Sequence, residues 1–410
     1  MQMAGLDSIQ VHMGPAPKPG YWISKVSRPD NIVLALPFPR MTLLKQGAMF
    51  FFRRTCYILL LLFAIALLIS CSDGGYLLQA AKGQWSLMSS AKSIDHILTQ
   101  ETEPHELREQ LSKVVTLREF AVSSLDLPDN GSYHKYADLE RPYAVWNLVV
   151  APELSLKLNE WCFPVAGCVT YRGYFDEQEA QTRAQVYSDQ GFDVAVYGVE
   201  AYSTLNWFDD PVLNTFLDND DIQLAGLLFH EMSHQVIYVQ NDTVFNESFA
   251  KTVELEGLRR WFNSSDSQEL WQECLQREKR SADFHKFLAK VRSDLTQAYA
   301  SEQGNDQKRI AKEQILQGAV DDYESLKERW DGYAGYDLWV KRGLNNARLS
   351  SAASYYELVP AFQPLLLQSG NDLEKFYVEV KKLGALPKDE RLAKLKSLSS
   401  KVTASLNGSL

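Results

Sequence analysis

The chain has 410 residues, of which 45% are hydrophobic and 23% are charged, so it can bury one large core or two moderate ones. This composition excludes a disordered chain, a collagen, a coiled-coil rod and a small disulfide-stapled peptide. The formal net charge is −10, and no basic cluster in the sequence offsets it. A dedicated nucleic-acid binder is therefore excluded, because phosphate neutralisation needs a surplus of Lys and Arg.

The first element along the chain is an apolar segment, 57–69, which follows Arg53 and Arg54. At 1.5 Å per residue a helix of this segment would be roughly 20 Å long, which is too short for a bilayer core of about 30 Å. A basic region followed by a short apolar one is typical of a signal peptide. We predict a signal peptide over 41–70 and an upstream extension, 1–40, that the mature protein lacks. An uncleaved anchor helix is the alternative.

The apolar segment ends in Leu68-Ile69-Ser70-Cys71, which resembles a bacterial lipobox. The resemblance implies that Cys71 is diacylated and becomes the mature N-terminus. Two acyl chains are enough for stable anchoring in a membrane. By resemblance to Gram-negative lipoproteins, Ser72 after the cysteine favours the outer membrane. We expect an exported, acidic body that faces the periplasm on a lipid anchor.

The body after Cys71 begins with helical patterns. Apolar residues at spacings of three and four predict a helix that includes Leu107 and Phe120, and the turn formers at 127–131 end it. A second helix is predicted over Asp176–Gln190. Three strand-like runs, predicted to form a small mixed sheet with a helical cover, are Tyr143–Val150, Gly167–Phe175 and Phe192–Val199.

Two cysteines of the body lie close together. Cys162 and Cys168 bracket WCFPVAGC, in which Pro164 and Gly167 can turn the chain back. Export would place this loop in a compartment that permits disulfides. We predict a Cys162–Cys168 bridge, with two buried thiols as the alternative, and expect Cys274 to be a free thiol.

From Asp221 the pattern is helical almost to the end. Two apolar stripes, separated by the polar stretch Ser301–Asp306, predict a long antiparallel helical hairpin. The stripes consist of Phe284, Phe287, Leu288, Val291 and Leu295, and of Ile310, Ile315, Leu316, Val320, Tyr323 and Leu326. The predicted fold class is therefore α+β and predominantly helical. Its regions are an α+β catalytic region, 71–265, and a helical C-terminal subdomain, 266–410.

The strongest chemical signal is the sequence LLFHEMSHQV at 227–236. His230 and His234 are four residues apart, so on a helix both imidazoles project from one face, as a single Zn²⁺ requires. Glu231 is placed where its carboxylate can reach a metal-activated water. The acidic stretch Asp218–Asp221 predicts the start of this helix. A helix with two satisfied core histidines is the alternative.

A catalytic zinc needs a third protein ligand and one open position. The turn at Asn241-Asp242 is followed by a second predicted helix, which runs to about Phe262, and Glu247 is the earliest carboxylate on it. Glu254 lies two turns further along the same face and suits a carboxylate that holds a ligand histidine in its tautomer. Both glutamates could instead be solvated surface residues. Glu256 is predicted to point elsewhere.

These residues resemble the gluzincin type of zincin metallopeptidase, in which the glutamate after H-E-x-x-H is often preceded by Asn. Asn246-Glu247 matches that pair, whereas Lys251 stands where the common pattern has Asp. A closer resemblance, to a bacterial family of predicted zinc aminopeptidase lipoproteins, covers nearly the whole mature chain. It rests on the segments 75–84, 127–133, 161–173, 201–211 and 229–253. The resemblance implies a zincin-like sheet packed on the H-E-x-x-H helix and peptide substrates.

In the implied mechanism His230, His234 and Glu247 would hold Zn²⁺, and the bound ion would lower the pKa of a water molecule towards 7. Glu231 takes the proton of that water and passes it to the leaving amine. The strand Phe192–Val199, or the loop after it, is expected to line the substrate cleft. Candidates for capture of a substrate α-amine are Glu200, Asp209 and Asp210, and candidate oxyanion donors are Tyr202, Tyr333, Tyr336, Tyr355 and Tyr356.

The function expected from these features is a lipid-anchored zinc aminopeptidase of the bacterial cell envelope. A zinc endopeptidase acting on envelope proteins would need a long open cleft and no amine-capturing carboxylate. A non-catalytic envelope scaffold is the third hypothesis. Glu231 argues against the scaffold, because a purely structural metal site has no use for a base beside an open coordination position.

Overall fold

The computed structural model describes residues 72–163, 167–201, 204, 208–264, 267–352 and 358–407. Residues 1–70 and Cys71 lie outside the described residues, so the signal peptide and the lipid anchor stay predictions. By its packing the chain divides into two units, 1–78 and 79–410. Of the first unit, residues 72–78 are described, as the start of a helix. None of the helices within the described residues has the length and apolar content of a membrane span.

Helices dominate the described chain, and the strands are short. The helices are α1 (Ser72–Ser90), α2 (Ile94–Thr99), α3 (His105–Leu125), α4 (Glu177–Ser188), α5 (Asn214–Leu217), α6 (Asp221–Ser233), α7 (Thr243–Ser264), α8 (Gln268–Ala300), α9 (Asn305–Glu328), α10 (Asp337–Lys341), α11 (Asn346–Ala352), α12 (Val359–Gln368), α13 (Leu373–Gly384) and α14 (Lys388–Asn407). The strands are β1 (Lys92–Ser93), β2 (Lys135–Ala137), β3 (Val145–Ala151), β4 (Trp161–Phe163), β5 (Gly167–Val169), β6 (Arg172–Tyr174), β7 (Asp193–Val199) and β8 (Val212–Leu213). The predicted class, α+β and predominantly helical, is confirmed.

The strands form three separate small sheets. In the first, β2 pairs antiparallel with β1 and parallel with β8. In the second, β3 lies between β6 and β7 and is antiparallel to both. All seven residues of β3 are buried, because α4 and α11 both pack on this sheet. The third is the hairpin of β4 and β5.

The prediction of one mixed sheet from three runs is wrong in two respects. The sheet that contains β3 is antiparallel throughout, and the run predicted at Gly167–Phe175 is divided between two sheets. Its first part pairs with β4, where Cys162 lies opposite Cys168, and its second part pairs with β3. The cause is the short loop closed by these cysteines, which are joined by a disulfide. Residues 167–169 pair with β4 in this hairpin, so only the later residues, 172–174, pair with β3.

The predicted helical hairpin is present as α8 and α9, which pack along each other. Its core contains the whole first stripe, from Phe284 to Leu295, together with Tyr323 and Leu326 of the second. Ile310 is the exception, because its side chain is 56% exposed near the start of α9. The stripe therefore begins later on α9 than the sequence pattern indicates.

The main hydrophobic core draws on both ends of the described chain. Its buried residues run from Leu87 to Cys274 and continue from Leu358 to Leu395. Within it, α6 packs chiefly against α3 and α7, whereas the β3 sheet is covered mainly by α4 and α11. The expected packing of that sheet on the H-E-x-x-H helix is therefore not the principal contact. The site lies between α6 and α7.

Candidate metal centre

The helix α6 places both histidines on one face. Asp220 is its N-cap, and its side chain accepts hydrogen bonds from the backbone N–H groups of Ile222 and Gln223. The helix ends at Ser233, and His234 as C-cap keeps helical angles (φ −60°, ψ −19°). The ring centroids of His230 and His234 consequently lie 5.0 Å apart. Although His234 follows the last residue of the helix, its side chain therefore lies on the same face as that of His230.

The turn after His234 brings Glu247 back over the histidines. Asn246 fastens this turn, because its side chain accepts a hydrogen bond from Val239 N–H (2.8 Å) and donates one to Val239 C=O (2.9 Å). Asn246 is thus a structural clamp beside Glu247. The Glu247 carboxylate lies 3.2 Å from His230 Nε2 and 3.8 Å from His234 Nε2.

The donor set fits a zinc ion. One atom each of His230, His234 and Glu247 lies within 4.8 Å of the other two, and the side chains are between 8% and 17% exposed. Two imidazole nitrogens and one carboxylate oxygen are a ligand set found in catalytic zinc sites, where the fourth position stays open. The structure brings together the three residues that the sequence predicts as ligands.

Glu254 lies where the sequence predicts it, against the far nitrogen of His230. Its Oε2 is 3.2 Å from His230 Nδ1. Its Oε1 accepts a hydrogen bond of 2.6 Å from Lys251, which also donates to Glu278 on α8 at 2.7 Å. Glu256 points away, as predicted, and binds arginines on its own helix.

Burial and neighbouring charge shift the acid–base properties of the α6 residues. The pKa of Glu231 is raised to about 7, mainly by burial; the charge of His230 opposes this rise, and the carboxylates of Glu247, Asp210 and Glu254 contribute to it. Burial likewise lowers the pKa of His234 to about 4. For His230 burial favours the neutral form, but the carboxylates of Glu247 and Glu254 outweigh it and raise the pKa to about 10.

The two site glutamates on α7 are held in their charged forms. Burial alone would raise the pKa of Glu247 and of Glu254, yet both pKa values lie below the ordinary value. The hydrogen bond from His230 is the main opposing cause at Glu247, and the charge of Lys251 is the main one at Glu254. Both are therefore carboxylates at neutral pH, the form that binds a metal or accepts from an imidazole N–H.

A model of a family described as putative aminopeptidases matches residues 75–395. The chain belongs to that family. No curated protein and no solved structure matches the chain. The match includes all of α6, α7 and α8, so every residue of the candidate centre lies within the family region.

In this family member a loop at 130–133 also reaches the H-E-x-x-H helix end. Gln235, next to His234, accepts a hydrogen bond from Asn130 (2.7 Å) and donates one to Ser132 Oγ (3.2 Å). Tyr133 is buried in left-handed backbone geometry (φ 64°), which a bulky residue seldom adopts. Burial, together with Glu231, raises the pKa of its phenol well above the ordinary value. The sequence indicates a turn here and a family resemblance, but no contact with the H-E-x-x-H helix.

Two further tyrosines near the centre were not predicted. Burial raises the pKa of Tyr197 on β7, and the Glu247 carboxylate adds to the effect. The same two causes, burial first, raise the pKa of Tyr238 in the turn after α6. The charge of Glu247 therefore acts on a residue of the predicted cleft strand, β7. The sequence offers one weak signal for each: Tyr197 lies in the predicted strand Phe192–Val199, and Tyr238 follows His234 by four residues.

Several predicted candidates contact residues outside the centre. Glu200 accepts a hydrogen bond from Asn219, and Asp210 is buried and accepts from the backbone and hydroxyl of Thr204. Asp209 is exposed. Tyr333 and Tyr336 belong to the aromatic cluster of the hairpin, where Tyr333 packs on Trp330 and Tyr336 stacks on Phe284. Four predicted site residues lie outside the described residues: Cys71, Tyr202, Tyr355 and Tyr356.

Proposed function

We propose that the chain is a zinc-dependent peptidase and, within that class, an aminopeptidase. The observation that carries the proposal is the convergence of His230, His234 and Glu247 from two helices, with Glu231 beside them. Membership of a family described as putative aminopeptidases supports the exopeptidase part. No separate observation favours a scaffold or an endopeptidase.

The proposed chemistry divides between the ion and the protein. Bound Zn²⁺ would supply a Lewis acid that lowers the pKa of a water molecule and polarises a peptide carbonyl. His230, His234 and Glu247 would hold the ion. Glu231 accepts the proton of the attacking water at a carboxylate oxygen and returns it to the leaving amine.

The test is a comparison of Glu231→Gln with ligand variants. Glu231→Gln should keep about one equivalent of zinc and lower kcat by roughly 10²–10⁴, because an amide cannot accept the proton. His230→Ala, His234→Ala and Glu247→Ala should lose the metal, since too few ligands remain.

Glu256→Gln is the matched control on α7, because Glu256 binds Arg259 and Arg260 instead of the centre. We expect wild-type zinc content and wild-type kcat for this variant. Wild-type activity of Glu231→Gln on every peptide tested would refute the mechanism. Zinc retained by Glu247→Ala would show that the third ligand is misassigned.

The choice between exopeptidase and endopeptidase needs a separate assay. Peptides of one sequence, with either a free or an acetylated N-terminus, are incubated with the wild-type protein and Glu231→Gln. An aminopeptidase removes the first residue of the free peptide and leaves the blocked one intact. Equal cleavage of both at an internal bond would establish the endopeptidase alternative.

For the location of the protein we propose a lipid anchor at Cys71 in the bacterial cell envelope, at the outer membrane facing the periplasm. The support is the basic and apolar sequence that ends in the lipobox-like segment 68–71. Cys71→Ser should leave an unprocessed and unlipidated precursor. A wild-type protein recovered from the cytoplasm with residues 1–40 intact would refute the proposal.

A further inference from the structure

The carboxylate of Glu254 uses its two oxygens on different partners. Oε2 faces His230 Nδ1 at 3.2 Å, and Oε1 accepts from Lys251 Nζ at 2.6 Å. The same ammonium donates to Glu278 Oε1 at 2.7 Å. The three charged side chains are between 14% and 23% exposed, so the contacts are largely shielded from water.

The helix geometry makes this arrangement specific. Glu247, Lys251 and Glu254 occur at intervals of four and three on α7, so they form one stripe along the helix. Glu278 comes from α8, the first helix of the long hairpin. The ammonium is thus held between a carboxylate that touches a ligand histidine and a carboxylate of the hairpin.

A free glutamate side chain has several rotamers, and ordering it costs conformational entropy. The hydrogen bond from Lys251 to one oxygen of Glu254 restricts that choice and leaves the other oxygen towards His230 Nδ1. A histidine whose Nδ1–H is donated to a carboxylate presents the Nε2 lone pair to a metal. His230 Nε2 is the nitrogen that faces Glu247.

We propose that Lys251 is a positioning residue of the metal centre: it holds Glu254 in the orientation that fixes the tautomer of His230, and Glu278 in turn holds Lys251. The inference rests on the proposed zinc site. It gives a function to Lys251, which stands where the common gluzincin pattern has Asp. It also makes the metal centre depend on the hairpin, because Glu278, which accepts the hydrogen bond from Lys251, lies on α8.

The experiment measures the zinc dissociation constant by competition with a chromophoric chelator. Lys251→Met should weaken zinc binding 10–100-fold, the range for residues that orient a ligand. Lys251→Arg should restore binding towards wild type, because it keeps the charge and the donors. In a Glu254→Ala background, Lys251→Met should produce no further loss, because a residue that acts through Glu254 has nothing left to position.

Lys312→Met is the matched control. Lys312 and Asp193 form an ion pair of 2.7 Å with 13% and 15% exposed side chains, close to the values for Lys251 and Glu254. The control variant should lose thermal stability as Lys251→Met does, with unchanged zinc affinity. This separates positioning from general stabilisation by a part-buried ion pair.

The outcomes are distinguishable. Wild-type zinc affinity in Lys251→Met, or losses from Lys251→Met and Glu254→Ala that multiply in the double variant, would overturn the positioning role and leave the zinc peptidase standing. A wild-type protein that binds no zinc would overturn both. If Lys251→Met does not fold, Glu278→Ala replaces it: we expect weaker zinc binding there, and wild-type affinity would refute the brace.

Discussion

The glycine at position 226 offers a substitution that should strengthen the fold and weaken the metal centre. Gly226 lies inside α6, four residues before His230. Replacing a glycine in a helix interior by alanine ordinarily stabilises a protein by about 0.5–1 kcal/mol. For a chain of this size that gain corresponds to roughly 1 °C in Tm.

The same methyl group would press on Glu254. A Cβ at position 226 lies 3.3 Å from Glu254 Oε1 and 3.5 Å from its Cγ, and it also touches Leu258 at 3.5 Å. Glu254 must move by a few tenths of an ångström, but Lys251 holds the same oxygen. We expect the contact of Oε2 with His230 to lengthen and zinc affinity to fall about tenfold, at the lower end of the range for residues behind a ligand.

The assay pairs zinc affinity, from chelator competition, with Tm, from circular dichroism. Gly318→Ala is the control, because a Cβ at this exposed site on α9 meets nothing within 4 Å. It should raise Tm and leave zinc affinity unchanged. A Gly226→Ala protein with wild-type zinc affinity would refute the coupling between Glu254 and the centre. A Tm lowered by several degrees would refute the packing estimate.

Two further outcomes concern packing and thiols. Gly257→Ala should lower the free energy of unfolding by about 1–3 kcal/mol in urea titrations, because its Cβ would lie 2.6 Å from Phe229 and 2.9 Å from Leu125; a gain in stability would contradict this. Burial raises the pKa of Cys274 to about 11, so iodoacetamide at pH 8 should leave the native chain from Ser72 unlabelled. After denaturation without reductant the same reagent should add one group, which intact-mass measurement detects. Labelling of the native protein would show that this thiol is accessible.

The ligands could be predicted because their arrangement is local to regular helices. His230 and His234 share a face of α6, and Glu247 and Glu254 share a face of α7, so helical spacing makes them candidates, and Glu231 within the motif and Asn246 before Glu247 single them out. The turn formers at 241 and 242 indicate that the second helix returns over the first. Local sequence pattern is sufficient where the site is built from two consecutive helices.

The sheets could not be predicted in the same way. β2 pairs with β8 across about 75 residues, and both strands are only two or three residues long. Such pairings depend on what the core brings together, because a segment this short carries no period of its own. The role of Lys251 was missed for a related reason: its second partner, Glu278, lies on another helix.

Three distant parts of the chain contact either α7 or the turn between α6 and α7. Asn130 binds Gln235, Glu278 of the hairpin binds Lys251, and Arg391 of α14 reaches Asp242 at 2.6 Å with both side chains almost fully buried. Removing one partner of such a buried pair leaves an uncompensated charge, which costs about 3–5 kcal/mol. A fragment that contained the ligands but ended before the hairpin would therefore leave the Asp242 carboxylate without its arginine and Lys251 without its brace. The centre consequently depends on the helices after residue 266 for its geometry, although none of them supplies a ligand.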